Sequence, residues 1–186
     1  MGQKGFYFDM TACIGCHTCQ IACRDRNGLY HRGEIFRHVT TTEGGKFPRP
    51  YYYNLSIACC HCAKPACAGN CPTGAMYKDP ETGLVLHDKT MCTGCGTCVR
   101  SCPYGEPVLM ERGGKTVSQK CDGCYTLVRK GENPVCVDSC PMRSLKFGEY
   151  SELLAEYGGT ADIALLPDPS ETVPALLINA VDEALE

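Results

Sequence analysis

Tryptophan is absent from this chain, and its charge is nearly balanced, at −3 with no basic block. Recognition of a phosphate backbone needs clustered Lys and Arg, so no nucleic-acid partner is expected. No apolar run approaches the ~20 residues that cross a bilayer, so no direct membrane span is expected either. The segment Gly2-Gln3-Lys4-Gly5-Phe6-Tyr7-Phe8 lacks the apolar stretch of a secretory leader and reads straight into a strand. There is no GxSxG elbow, no phosphate loop and no evident nucleophile–base pair, so no catalytic residue is expected. Without its cysteines the chain is only modestly apolar, and its core is small for 186 residues. Small cores need staples, and bound metal can serve as one.

Cysteine is what the chain has in excess: 17 residues. Sixteen of them form four groups, with Cys60 left over. The third group is Cys92, Cys95, Cys98 and Cys102, followed by Pro103, and reads C-x2-C-x2-C-x3-C-P. That is the ligand run of bacterial two-cluster ferredoxins, in which the fourth cysteine serves the other cluster. The first group is Cys13, Cys16, Cys19 and Cys23. The second is Cys59, Cys62, Cys67 and Cys71, then Pro72; the fourth is Cys121, Cys124, Cys136 and Cys140, then Pro141. Every group ends in x3-C, and a repeat of this kind implies repeated structural units. Disulfides fit poorly, because the cysteine count is odd and the thiols are too dense along the chain. Zinc sites usually pair two C-x2-C units across a longer loop. The fourth group alone looks like such a ribbon; the other three favour iron–sulfur cubes.

The expected fold class is α+β, loop-rich, with two nested ferredoxin-like modules and an extended C-terminal tail. Strands are expected at Gly5–Asp9, Tyr51–Ile57 and Leu145–Glu149, the first and last paired with each other. A hairpin is expected from Ala75–Lys78 and Leu84–His87, and Thr116–Ser118 leads into the fourth group. Helices are expected at His17–Asn27, stopped by Gly28, at Asp122–Lys130, stopped by Gly131, and at Ser151–Tyr157. Residues 31–50 read as loop. Residues 1–49 and 113–150 would make the outer module, 50–112 the inner one, and 151–186 a tail that either wraps its own domain or docks a partner. Crossed fourth cysteines then define four sets. The first is Cys13, Cys16, Cys19 and Cys140; the second is Cys121, Cys124, Cys136 and Cys23. The third is Cys59, Cys62, Cys67 and Cys102; the fourth is Cys92, Cys95, Cys98 and Cys71. The cofactors expected are four 4Fe-4S clusters, with these sixteen thiols as iron ligands.

Cys59-x2-Cys62-Ala63-Lys64-Pro65-Ala66-Cys67-x3-Cys71-Pro72-Thr73-Gly74-Ala75 and Lys120-Cys121-Asp122-Gly123-Cys124-Tyr125, taken with the other groups, resemble a known family. It is the four-cluster iron–sulfur subunit of molybdopterin oxidoreductases, most like that of dimethyl sulfoxide reductase. The likeness spans roughly residues 5–150. It implies a non-catalytic electron-transfer subunit, the same pairing of groups, and a large molybdenum or tungsten pterin partner. A quinol-oxidising membrane anchor is a further implied partner. A free soluble polyferredoxin is the alternative. In the related nitrate reductase subunit a Trp replaces one ligand and one cluster loses an iron; here no Trp is present. The missing leader by itself points to the cytoplasm, whereas the resemblance adds export in folded form on a partner's twin-arginine leader, so both sides stay open.

Cys60 reads as a bystander thiol or a spare ligand. His61 reads as a packed histidine or a donor to a cluster sulfur. Lys64, Arg100 and Lys120 adjoin ligands and read either as solvated surface charges or as partial offsets of cluster charge. His17, His31, His38 and His87 lack metal-site spacing.

Overall fold

The computed structural model describes residues 2–31 and 33–185. Met1, Arg32 and Glu186, which the outer module, the 31–50 loop and the tail would include, lie outside the described residues. Strand β1 (Lys4–Asp9) leads into helix α1 (Thr18–Asn27). Strands β2 (Arg37–Lys46) and β3 (Arg49–Ala58) follow. The one-turn helix α2 (Ala66–Gly69) then precedes the short hairpin β4 (Met76–Lys78) and β5 (Val85–His87). Helix α3 (Thr97–Ser101) and the hairpin β6 (Val108–Arg112) and β7 (Lys115–Gln119) come next. After α4 (Tyr125–Val128) and α5 (Val135–Asp138), strand β8 (Leu145–Glu149) and helix α6 (Tyr150–Tyr157) lead to β9 (Leu176–Asn179). This is a mixed helix-and-strand fold built from short sheets.

The two halves of the sequence meet in the sheet ordered β8-β1-β9. β1 and β8 run antiparallel, with Phe6 opposite Phe147 and Phe8 opposite Leu145. Alternate residues of a strand point to opposite faces. Phe6, Phe8, Leu176 and Ile178 therefore join the cysteine-bearing core, while Tyr7 and Leu177 pack on Leu153 of α6. A sheet covered on both faces explains why Phe6-Tyr7-Phe8 of β1 and Leu176-Leu177-Ile178 of β9 are apolar without alternation. The tail is thus not an appended segment. β9 pairs parallel with β1, and the peptide N–H groups of Ala63 and Lys64 donate to the carbonyls of Val173 and Thr172. Burial of Leu176, Leu177 and Ile178, each at most 5% exposed, contributes roughly 1.5–3 kcal/mol per side chain, as an upper estimate.

Two expectations are corrected. Residues 31–50 are not mainly loop, because β2 and β3 form a long hairpin paired from Arg37↔Ala58 to Lys46↔Arg49. Helix α4 is one turn and does not run from Asp122 to Lys130. Cys124 sits in the left-handed region at φ 55°, and the Asp122 carboxylate accepts its peptide N–H at 2.8 Å, so the helix starts only after it. The other expected elements fall within a residue or two of expectation, including α1 with Gly28 as its left-handed C-cap, whereas α2, α3, β6, α5 and β9 were not expected. No helix among the described residues is long and apolar enough to cross a membrane.

Candidate metal centres

Each cysteine group begins with the same backbone device. The residue before the second cysteine has positive φ in all four: Gly15 at 66°, His61 at 45°, Gly94 at 71° and Gly123 at 69°. Left-handed backbone turns the loop sharply and aims its peptide N–H groups inward. Gly94 N–H lies 3.5 Å from Cys92 Sγ, and Gly123 N–H lies 3.3 Å from Cys121 Sγ. His61 holds the glycine's place in the second group, where burial and partners fix it. It is wholly buried, and its Nδ1 accepts the Val85 N–H at 3.0 Å. The proton is then on Nε2, which has no hydrogen-bond partner. Burial, and then the nearby Lys120 and Lys78 charges, hold the His61 pKa well below the usual histidine value.

Each group ends on a helix turn. The third cysteines, Cys19, Cys67, Cys98 and Cys136, all lie in helices and are buried. After each C-P ending the chain makes a tight turn. The carbonyls of Cys71, Cys102 and Cys140 accept from the N–H groups of Gly74, Gly105 and Arg143. Helix α1 packs on α5 and α2 packs on α3, and this brings the helical ends of the paired groups together.

Cys13, Cys16, Cys19 and Cys140 line one cavity, with about 320 Å³ free of protein atoms, walled by Phe8, Val39 and Leu145. Cys59, Cys62, Cys67 and Cys102 line a second, with about 340 Å³ free, walled by Val85, Glu106, Lys120 and Thr172. Cysteines of the other two sets also lie close to one another. Burial, then the neighbouring Cys136, pushes the Cys23 thiol up to about 12, with Cys124 adding to it. Cys92 and Cys98 meet at Ser118, whose N–H lies 3.5 Å from Cys92 Sγ and whose hydroxyl lies 3.1 Å from Cys98 Sγ. Cys71 packs beside Cys98.

The sets follow one another in space. Cys19 and Cys136 share one core cluster, Cys23, Cys59 and Cys121 a second, and Cys67, Cys71 and Cys98 a third. Shared clusters thus link the first set to the second, the second to the third and the third to the fourth, with Cys62 of the third set also packed against the first cluster. At the two ends Cys16 and Cys95 are exposed, while the second set is entirely buried.

Residues 50–150 match the 4Fe-4S dicluster domain family. The B subunit of the anaerobic dimethyl sulfoxide reductase of Haemophilus influenzae is 41% identical, covering 96% of this chain and 90% of its own length. The corresponding Escherichia coli subunit is also 41% identical, covering 95% and 88%. The selenate reductase subunit beta of Thauera selenatis is 38% identical over 92% of this chain and 79% of its own. The protein belongs to that family of iron–sulfur subunits.

The donor set suits the family's cofactor. Among the described residues no three His, Cys, Asp or Glu side chains converge on a single-ion point, as a tetrahedral zinc site would require. A cube of four irons holds its thiolates further apart. Two buried cations also lack acid partners. Arg37 is 2% exposed and Lys120 is 6% exposed, yet neither forms an ion pair among the described residues. Buried charge is normally paired, and the surrounding thiolates are the negative groups at hand.

Lys120 thus departs from the solvated reading, whereas Lys64 and Arg100 are exposed. Arg37 carried no signal in the sequence, because it lies far in sequence from the cysteines it approaches. Cys60 is buried at 3% exposure and stands outside all four sets, with its thiol 3.6 Å from the Ala58 carbonyl. His17 flanks the first cavity, and His38 and His87 are half-buried, His87 opposite Met76, whose N–H lies 3.5 Å from Cys71 Sγ.

Proposed function

We propose that this protein is a non-catalytic electron-transfer subunit carrying four 4Fe-4S clusters in two nested ferredoxin-like modules, with residues 50–112 nested inside 1–49 and 113–150. The iron ligands are the four cysteine sets above, with Cys140 and Cys23, and likewise Cys102 and Cys71, crossing between groups. When bound, the clusters supply one-electron carriers held in series. The protein's own residues hold the thiols, direct peptide N–H groups at sulfur and keep water from the middle of the row.

One observation carries the reading: the second set is buried throughout, while Cys16 of the first set and Cys95 of the fourth are exposed. Electrons are then exchanged at two separate faces with two partners. Around one end Ile14, Ile21 and Met142 are exposed; around the other, Tyr77, Met91 and Leu109 are. The relatives' names mark each as one subunit of a reductase, a single polypeptide among several, which supports a large pterin-containing catalytic partner. A quinol-linked membrane anchor is the proposed second partner.

Anaerobic purification tests this. About sixteen irons and as many sulfides per chain are expected, with absorbance near 400 nm that dithionite bleaches. A colourless protein, or one binding a few zinc ions, would refute it. Isolation of the native complex should recover a large pterin-binding polypeptide.

A further inference from the structure

Arg37 and Lys120 are buried cations in distinctive places. The Arg37 guanidinium donates to the Ser56 carbonyl at 3.2 Å and to its hydroxyl at 3.1 Å, and lies 4.9 Å from the Phe6 ring centroid. The Ser56 hydroxyl is itself 3.4 Å from Cys19 Sγ, in the first set. The peptide N–H of Arg37 is directed at Cys23, in the second set. Arg37 Nε is buried with no partner. Lys120 Nζ donates to the Cys121 carbonyl at 2.8 Å and to the Val85 carbonyl, and reaches Cys59 of the third set. One cation therefore stands where the first and second sets meet, and the other where the second and third meet. The buried carboxyl Glu106 lies nearby but forms an ion pair with neither cation among the described residues.

The contact between the third and fourth sets differs. Met76 and Val85 fill it, and Arg100, which donates to the Cys95 carbonyl at 3.3 Å, is exposed. A cation in low dielectric acts strongly on a neighbouring centre, whereas water screens an exposed one.

We propose that Arg37 and Lys120 are potential-setting residues, fixed charges at the two inner junctions that favour the reduced state of the flanking clusters, the second set's most of all. This rests on the electron-transfer reading above. Adding an electron makes a cluster more negative, and a fixed cation beside it lowers the energy of that state. The second set has both cations, the first and third have one junction each, and the fourth has none among the described residues.

The test uses the holoprotein, with iron counted first and each cluster's potential then read by EPR-monitored titration. Signals are assigned by removing one cysteine of each set. Arg37→Gln keeps the hydrogen bonds but not the charge. It should shift the reduction equilibria of the first and second sets at least tenfold toward oxidised, about 59 mV for one electron. Arg37→Lys should restore them. Lys120→Gln should do the same to the second and third sets, and the fourth set should be unmoved throughout. Retention of clusters in Arg37→Lys but not in Arg37→Gln would also support the role of charge. Equal potentials in the wild type, Arg37→Gln and Arg37→Lys would overturn the proposal. So would loss of clusters in both Arg37 variants, or a uniform shift of all four. A wild type without iron would instead refute the electron-transfer reading itself.

Discussion

Cys60 and Cys62 both border the cavity of the third set. Burial pushes the Cys62 thiol up to about 11. Cys60 is more deeply buried and also joins the apolar core with Tyr53, Leu55 and Ile57. Cys60→Ala should leave the iron count unchanged and cost about 1 kcal/mol from the lost packing, read in thermal melts. Cys62→Ala should lower the count by about one cluster. An iron loss in Cys60→Ala would show it to be a ligand. The spacing rule that set Cys60 aside was visible in the sequence, since one residue between ligands cannot close the loop. His61 was less legible. Nothing in Cys-Cys-His-Cys says that the histidine takes a left-handed conformation. Only comparison with Gly15, Gly94 and Gly123 in the folded protein reveals the shared turn.

The elements show the same divide. The hairpin of β2 and β3 was hidden because Thr40 to Gly45 is polar and glycine-bearing, without the alternation that marks a half-buried strand. Its outer half is exposed on both faces, so cross-strand hydrogen bonds rather than burial hold it. Strand β9 was ambiguous for the opposite reason. Its apolar run fits equally well a strand on its own sheet or a patch for a partner, and only its pairing with β1 decides. Leu177, 1% exposed, fills the face between β1 and α6. Leu177→Ala should therefore cost about 2–5 kcal/mol, measured by denaturation of the anaerobic holoprotein. A change below about 0.5 kcal/mol, the range of surface substitutions, would mean that the tail is not part of the core.

At the scale of the molecule, much of the interior is cysteine. The buried clusters contain Cys19, Cys23, Cys59, Cys67, Cys98, Cys121, Cys136 and Cys140 among rather few large apolar side chains. Without metal these are buried thiols around gaps, and metal-binding free energy in such proteins is folding free energy. Removing the iron with a chelator under reducing conditions should abolish the cooperative unfolding transition and the near-ultraviolet dichroism. An apoprotein that melts as cooperatively as the holoprotein would show the polypeptide to be self-sufficient.

The sequence by itself determined the grouping of the thiols, their shared x3-C endings and the short elements around them, because these are local and follow from spacing, proline and glycine. It also carried the resemblance through which the family was recognised. Tertiary structure alone decided that the tail closes the first sheet and that Cys16 and Cys95 are the exposed thiols. It alone decided, too, that Arg37 and Lys120 lie at the junctions. Those facts depend on contacts between residues far apart in the sequence. Burial, which turns a surface charge into a strong local field, is a property of the packed whole.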